Sequence, residues 1–198
     1  MTIRLGTESP QGSTKHLRRM LCLGALVAAI ASSPGLATPI PGDGVLPCSE
    51  LELRVAGLFR VGTAFLYLDQ CEDASSRVLG SIPKQFSLEL GRAFSGDDLA
   101  ETARDTLRQN LGLQSNDPLP DSLACMAGAY VDADEGDRYD IVYQPGDGLA
   151  MFLNNELLRH CEDTGDAASY FKIWFGDRPF HRRMRDRLLQ QAETATQS

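Results

Sequence analysis

Between Leu51 and Leu68 the chain alternates apolar with other residues along two arms, and this pattern commits it to an antiparallel β-hairpin. Leu51, Leu53 and Val55 fall on one face of the first arm, with Glu52, Arg54 and Ala56 on the other. The second arm sets Val61, Thr63, Phe65 and Tyr67 against Arg60, Gly62, Ala64, Leu66 and Leu68, with a turn expected near Gly57 and Leu58. If Cys48 faces Cys71 at the open end, Arg54 stands opposite Phe65 and Tyr67 becomes its diagonal neighbour, roughly 7–8 Å away. A slip of one residue would put the two on opposite faces. A guanidinium in apolar surroundings is costly unless an anion meets it. The expected occupant is therefore a ligand with a carboxylate or enolate oxygen, held at Arg54 and Tyr67 with Thr63 and Phe65 on the same face. The competing reading is a snorkelling arginine beside a half-buried core tyrosine.

Lys15, His16, Arg18 and Arg19 precede an apolar run from Met20 to Ala31 that ends in small-residue sites at Ala31 and Ala37. That is the pattern of a secretory signal over residues 1–37, too short to cross a bilayer as a helix. Cys22 opens the run and would leave with it, so a periplasmic or secreted protein with no membrane span is expected. Cleavage would take four of 19 Lys and Arg and one of 27 acidic residues, leaving 15 against 26 and a formal charge of −11. An acidic domain is a poor partner for nucleic acid or an anionic membrane surface. The basic cluster Arg178, Arg182, Arg183, Arg185 and Arg187 reads as a solvated helix face.

Four cysteines remain, Cys48, Cys71, Cys125 and Cys161, an even number in an exported chain. Sequence permits three pairings. The hairpin favours Cys48 with Cys71 and leaves Cys125 for Cys161, while unpaired thiols stay open as the alternative. No CxxC occurs, so neither zinc nor redox chemistry is indicated. The carboxylate clusters at Asp97-Asp98, Asp132 to Glu135 and Glu162-Asp163 lack calcium-loop spacing, and no GxSxG elbow is present. About 160 residues make one domain. An irregular lead-in over 38–50 precedes it, and a tail over 191–198 follows.

Beyond the hairpin, a short helix is expected from Asp73 to Gly80 and a strand over Phe86, Leu88 and Leu90. A helix should open at Ser95, with Asp98 in a carboxylate variant of the capping box, and end at Gly112 with Leu99, Ala103, Leu107 and Leu111 on one stripe. A helix from Leu123 to Tyr130 follows. Strands from Tyr139 to Gln144 and from Leu149 to Leu153 flank Pro145-Gly146-Asp147-Gly148, and a third runs from Glu156 to His160 after Asn154-Asn155. Ala167, Phe171 and Trp174 share a helical face, Pro179 suits a first turn, and Phe180, Met184 and Leu188 share the next face. Antiparallel strands with helices between them mean an α+β domain over 51–190.

The segment Leu53-Arg54 through Phe59 to Leu68, the turn Tyr143 to Gly148 with Asn154-Asn155, and Tyr170 to Pro179 together resemble the bacterial chalcone isomerase-like proteins. That resemblance implies an open-faced β-sandwich, a large antiparallel sheet with helices layered on it and a ligand cleft between the two. It also implies that Arg54 meets an anionic oxygen of the ligand. In the fatty-acid-binding members a tyrosine placed as Tyr67 helps hold a carboxylate. The isomerase members' catalytic threonine aligns with Gly62, beside Thr63, so the resemblance favours a non-catalytic binder of a small amphipathic or phenolic anion, with no cofactor. The alternatives are an intramolecular lyase, which cyclises a chalcone by adding a phenolate to an enone, and a haem carrier using His160 or His181.

Overall fold

Each strand hydrogen-bonds to the next in sequence, so the sheet is an antiparallel meander of six in the order β1-β2-β3-β4-β5-β6. These are β1 (Leu46–Val55), β2 (Phe59–Leu68), β3 (Lys84–Leu90), β4 (Arg138–Gln144), β5 (Gly148–Leu153) and β6 (Glu156–Glu162). The helices are α1 (Ala74–Arg77), α2 (Gly96–Leu111), α3 (Asp121–Ala127), α4 (Lys172–Phe175) and α5 (Arg182–Ala195), with a 3-10 turn at Ala167–Phe171. The computed structural model describes residues 44–55 and 59–195. The expected signal peptide, the first part of the lead-in, the hairpin turn at Gly57 and Leu58, and residues 196–198 lie outside the described residues.

One face of the sheet carries Leu53, Ala64, Leu66, Phe86, Leu90, Tyr139, Ile141, Leu149 and Met151, and these join Ala103, Leu107, Leu123, Trp174, Met184 and Leu188 of the helices in one core. This inner face is why the period-2 pattern of the strands and the period-3.6 stripe of α2 coexist in one chain. The α+β architecture is that of an open sheet with helices layered on one side. Asn154 and Asn155, with φ of 51° and 69°, form the two-residue turn between β5 and β6.

Several expectations change. β1 begins at Leu46, inside the expected lead-in, because Pro47 sits on an edge strand where a missing donor is tolerated. The pairs Pro47↔Tyr67 and Ser49↔Leu66 leave Cys48 as an extra residue, and Leu53↔Gly62 with Arg54↔Arg60 does the same for Val61. With these bulges Glu50 faces Phe65, Glu52 faces Thr63 and Arg54 faces Arg60, so the expected register is replaced. Finally, α5 starts at Arg182 rather than at Pro179, with the Met184 amide donating to His181 Nδ1 at 3.0 Å.

The disulfides are Cys48–Cys71 and Cys125–Cys161. The first ties the bulge of β1 to the loop beyond β2, and the second ties α3 to β6. At the start of α2 Ser95 makes no side-chain cap. Instead Asp132 Oδ1 accepts from the Gly96 amide at 2.9 Å, so a distant loop carboxylate takes the place of the expected capping box.

Lys84 opens β3 on the inner face with no exposure at all. Its Nζ donates to the carbonyls of Val78 at 2.8 Å and Gly80 at 2.6 Å, and lies 5.1 Å and 4.9 Å from the ring centroids of Tyr143 and Phe171. The ammonium thus closes the C-terminal end of α1. Burial pushes its pKa down to about 7. Below that value folded and unfolded chains both carry the proton, and the full cost of a buried charge applies. Above it the folded chain sheds the proton first, so stability is expected to rise from about pH 7 by up to roughly 1.4 kcal/mol per pH unit. Urea midpoints measured up to about pH 9.5, below tyrosine titration, should show this rise in the native chain. Lys84→Met should flatten it, and an equal slope in the variant would refute the assignment.

Candidate functional site

A cleft runs between the inner face of the sheet and the layer formed by α2 and α4. Leu53, Phe86, Leu88 and Ile141 form its floor, Leu99, Thr102, Ala103, Ile173 and Trp174 its roof, and Phe94, Tyr130 and Phe180 its ends. Its cavity volume is about 70 Å³, below the roughly 300–1,000 Å³ of sites that enclose a drug-sized ligand. Local structure explains the space. Ala103 is the small residue of the α2 stripe, and the β2 bulge turns Val61 into the cleft although Thr63, two residues on, points the other way. Phe86 and Trp174 stack at 4.2 Å and make one wall rigid. Phe180, expected inside a helix, precedes α5 and stands at the mouth 53% exposed.

No residue lining the cleft carries a charge. Its polar side-chain atoms belong to Thr102, to the Trp174 indole nitrogen and to the hydroxyls of Tyr130 and Tyr139. The Tyr139 hydroxyl is satisfied at both ends, donating to the Val131 carbonyl at 2.5 Å and accepting from the Val131 amide at 3.2 Å. Tyr130 accepts from the fully buried Tyr170 at 3.2 Å. Burial pushes the Tyr130 phenol up to about 12 and raises Tyr170 as well.

Beside the cleft lies a groove between β1 and α5, lined by Leu51, Glu52, Leu53 and Arg54 on one side and His181, Arg183, Met184 and Arg187 on the other. Leu53 belongs to both. Arg183 and Arg187 are one helical turn apart, so two of the cations read as a solvated face flank the groove opposite Arg54.

The expected site residues are divided between two places. Arg54 is 51% exposed along its side chain and ion-paired to Glu52, so it is not the lone guanidinium in apolar surroundings that alternation implied. Tyr67 is buried on the outer face, where its hydroxyl accepts from Arg138 Nη2 at 3.1 Å. Phe65 lies under the same guanidinium at 4.5 Å, and Thr63 Oγ1 accepts from Arg60 at 3.1 Å. Arg54 and Tyr67 therefore do not converge, because the bulges shift the register that would have joined them.

The outer face holds a network that sequence reading missed. Arg138 Nε donates to Asp140 Oδ1 at 2.9 Å, and the same oxygen accepts from Ser87 at 2.5 Å and Gln85 at 3.1 Å. A signal existed, since Arg138 and Asp140 occupy alternate positions of a strand whose other face is Tyr139, Ile141 and Tyr143. Of the two histidines considered for haem, His160 is exposed and paired with Asp147 at 3.1 Å, while His181 caps α5. Neither lines the cleft. Among the described residues no cluster of three His, Cys, Asp or Glu side chains is placed to hold a metal, and no helix is long and apolar enough to cross a membrane.

Residues 50–190 match the family described as chalcone isomerase-like. The chain belongs to the chalcone isomerase-like family. No curated protein matches it. Among solved structures, the crystal structure of a fatty-acid binding protein from Arabidopsis thaliana superposes with a TM-score of 0.55 at 13% identity, covering 79% of this chain and 92% of that one. At that identity the likeness is one of fold.

Within this chalcone isomerase-like fold, Gly62, expected to stand where the isomerase members carry their threonine, is closed to any side chain. A Cβ there would lie 2.2 Å from the Glu89 carbonyl oxygen, where β2 and β3 pair. The neighbouring Thr63 hydroxyl is on the outer face, away from the cleft.

Proposed function

We propose that this chalcone isomerase-like protein binds an amphipathic anion such as a fatty acid without transforming it, its chain in the cleft and its charged end in the Arg54 groove. The observation that carries this reading is a charge-free apolar cleft sharing Leu53 with a groove flanked by Arg54, Arg183 and Arg187. A carboxylate deep in such a cleft would lose its hydration without compensation, whereas at the groove it stays near water and three guanidinium groups. In an acidic protein that local positive field would also steer an anion to the mouth. The fold shared with a plant fatty-acid binding protein agrees with this ligand class. Tyr67, Phe65 and Thr63 belong to the outer face and take no part. The signal pattern at the N-terminus and the two disulfides support action in an oxidising, exported compartment.

Trp174 is the chain's only tryptophan and lines the cleft, so its fluorescence reports occupancy. Titration with dodecanoate or hexadecanoate below micellar concentration should change Trp174 emission and give a saturable heat. Ala103→Phe, which fills the roof of the cleft, should abolish the response. Arg54→Ala should weaken binding by only about 0.5–1 kcal/mol, because the guanidinium is solvent-exposed and already paired. Replacing Arg54, Arg183 and Arg187 together should weaken it more, and more for the free acid than for its methyl ester. Unchanged emission and no heat with any chain length would end this reading.

A further inference from the structure

The structure assigns Tyr130, backed by Tyr170, as a hydrogen-bond donor for a neutral carbonyl oxygen on the part of the ligand that enters the cleft. This inference rests on the binding reading above and narrows its ligand class from plain saturated chains to chains carrying a ketone or ester along their length.

A phenol donates one hydrogen bond and accepts others. Tyr170 spends its proton on Tyr130 Oη, at 3.2 Å. No acceptor among the described residues takes the Tyr130 proton, whereas the other phenol of the cleft, Tyr139, donates to the Val131 carbonyl. The Tyr130 ring is held in place edge-to-face against Tyr139 at 5.3 Å, so its orientation is set before a ligand arrives. Donation from Tyr170 polarises the Tyr130 hydroxyl and makes it a better donor. Burial keeps both phenols protonated at physiological pH. The acceptor that suits this donor is neutral, since the Arg104 charge acts on Tyr170 behind the donor and no cation lines the cleft itself, where a carboxylate would be unpaired. A carbonyl oxygen brings lone pairs without a charge.

The test compares octadecanoate with a set of oxo-octadecanoates bearing the ketone at successive positions, titrated into the whole protein by Trp174 emission and calorimetry. At least one oxo acid should bind about fivefold to tenfold more tightly than the plain chain, as one net hydrogen bond allows. Tyr130→Phe should remove that preference, so that the favoured oxo acid and octadecanoate bind the variant alike. Tyr170→Phe, which keeps the donor but not its polarisation, should reduce the preference by about twofold. Independently of either variant, the ketone stretch of the preferred acid bound to the native protein should lie below its value in a hydrocarbon solvent. Binding of octadecanoate with no preference for any oxo acid, a preference that survives in Tyr130→Phe, or a hydrocarbon-like stretch would each overturn this inference while leaving the binding reading standing. Failure of every chain to bind would overturn both.

Discussion

Replacing Asp140 with alanine is expected to destabilise the domain by about 3–5 kcal/mol, the range for stripping one partner from a buried ion pair. Arg138 and Asp140 are each almost fully buried, at 5% and 3% exposure. Asp140 Oδ1 gathers donors from Arg138, Gln85 and Ser87, and its removal leaves the guanidinium with the Tyr67 hydroxyl, the Phe65 ring and its cross-strand neighbour Glu89, which is already paired with Arg60. A charge in that position cannot recover its hydration. Asp140→Asn keeps an acceptor oxygen at the same place, so it should cost less, about 1–2 kcal/mol for weakened hydrogen bonds. Urea unfolding measures both, and the midpoint should fall with the slope unchanged. A loss below about 1 kcal/mol for the alanine variant would mean that the network is solvated in solution and does not hold the centre of the sheet.

Removing the Cys125–Cys161 bridge by a double change to serine should cost about 3.8 kcal/mol, and removing Cys48–Cys71 about 3.4 kcal/mol, on the chain-entropy estimate. The bridges span 36 and 23 residues of sequence, which sets the order of the two effects. The first loss should be local in character as well. Cys161 pins the terminal strand β6 beneath α3, and β6 is otherwise exposed along Glu156, Leu157, Arg159 and His160. Hydrogen exchange in β6 should therefore accelerate more than in β3 in the Cys125/Cys161 variant. Equal loss of protection throughout the sheet would show that the bridge acts on the unfolded chain alone.

Much of the architecture was legible because it rests on local rules. Alternation marked β1, β2 and β3, the turn residues Pro145 to Gly148 marked β4 and β5, the Asn154-Asn155 pair marked a two-residue turn, and Gly112, with φ of 70°, marked the end of α2. The cysteine pairing followed from the hairpin even though its register did not. Cys71 lies three residues past the end of β2 and reaches back to a bulged Cys48, so the bond tolerates several registers and identifies none. The site was harder to read for the same reason. Arg54 and Tyr67 were visible as residue types, but whether they meet depends on two extra residues absorbed in the strands. Arg138 and Asp140 reach Gln85 and Ser87 across the sheet, Asp132 reaches Gly96, and Lys84 lies against Tyr143 and Phe171, contacts between residues far apart in sequence that no local pattern encodes.

The amino-acid sequence by itself determined the family, the α+β class and the strands' two-faced character, because periodicity, turn chemistry and cysteine count act over a few residues at a time. Only the tertiary structure decided which face holds the cleft, that it is free of charge, and that Arg54 stands at its edge rather than within it. Register, bulges and the packing of α2, α4 and α5 on the sheet are settled by the whole set of side chains competing for one interior, and a shift of a single residue reverses what each strand presents to it.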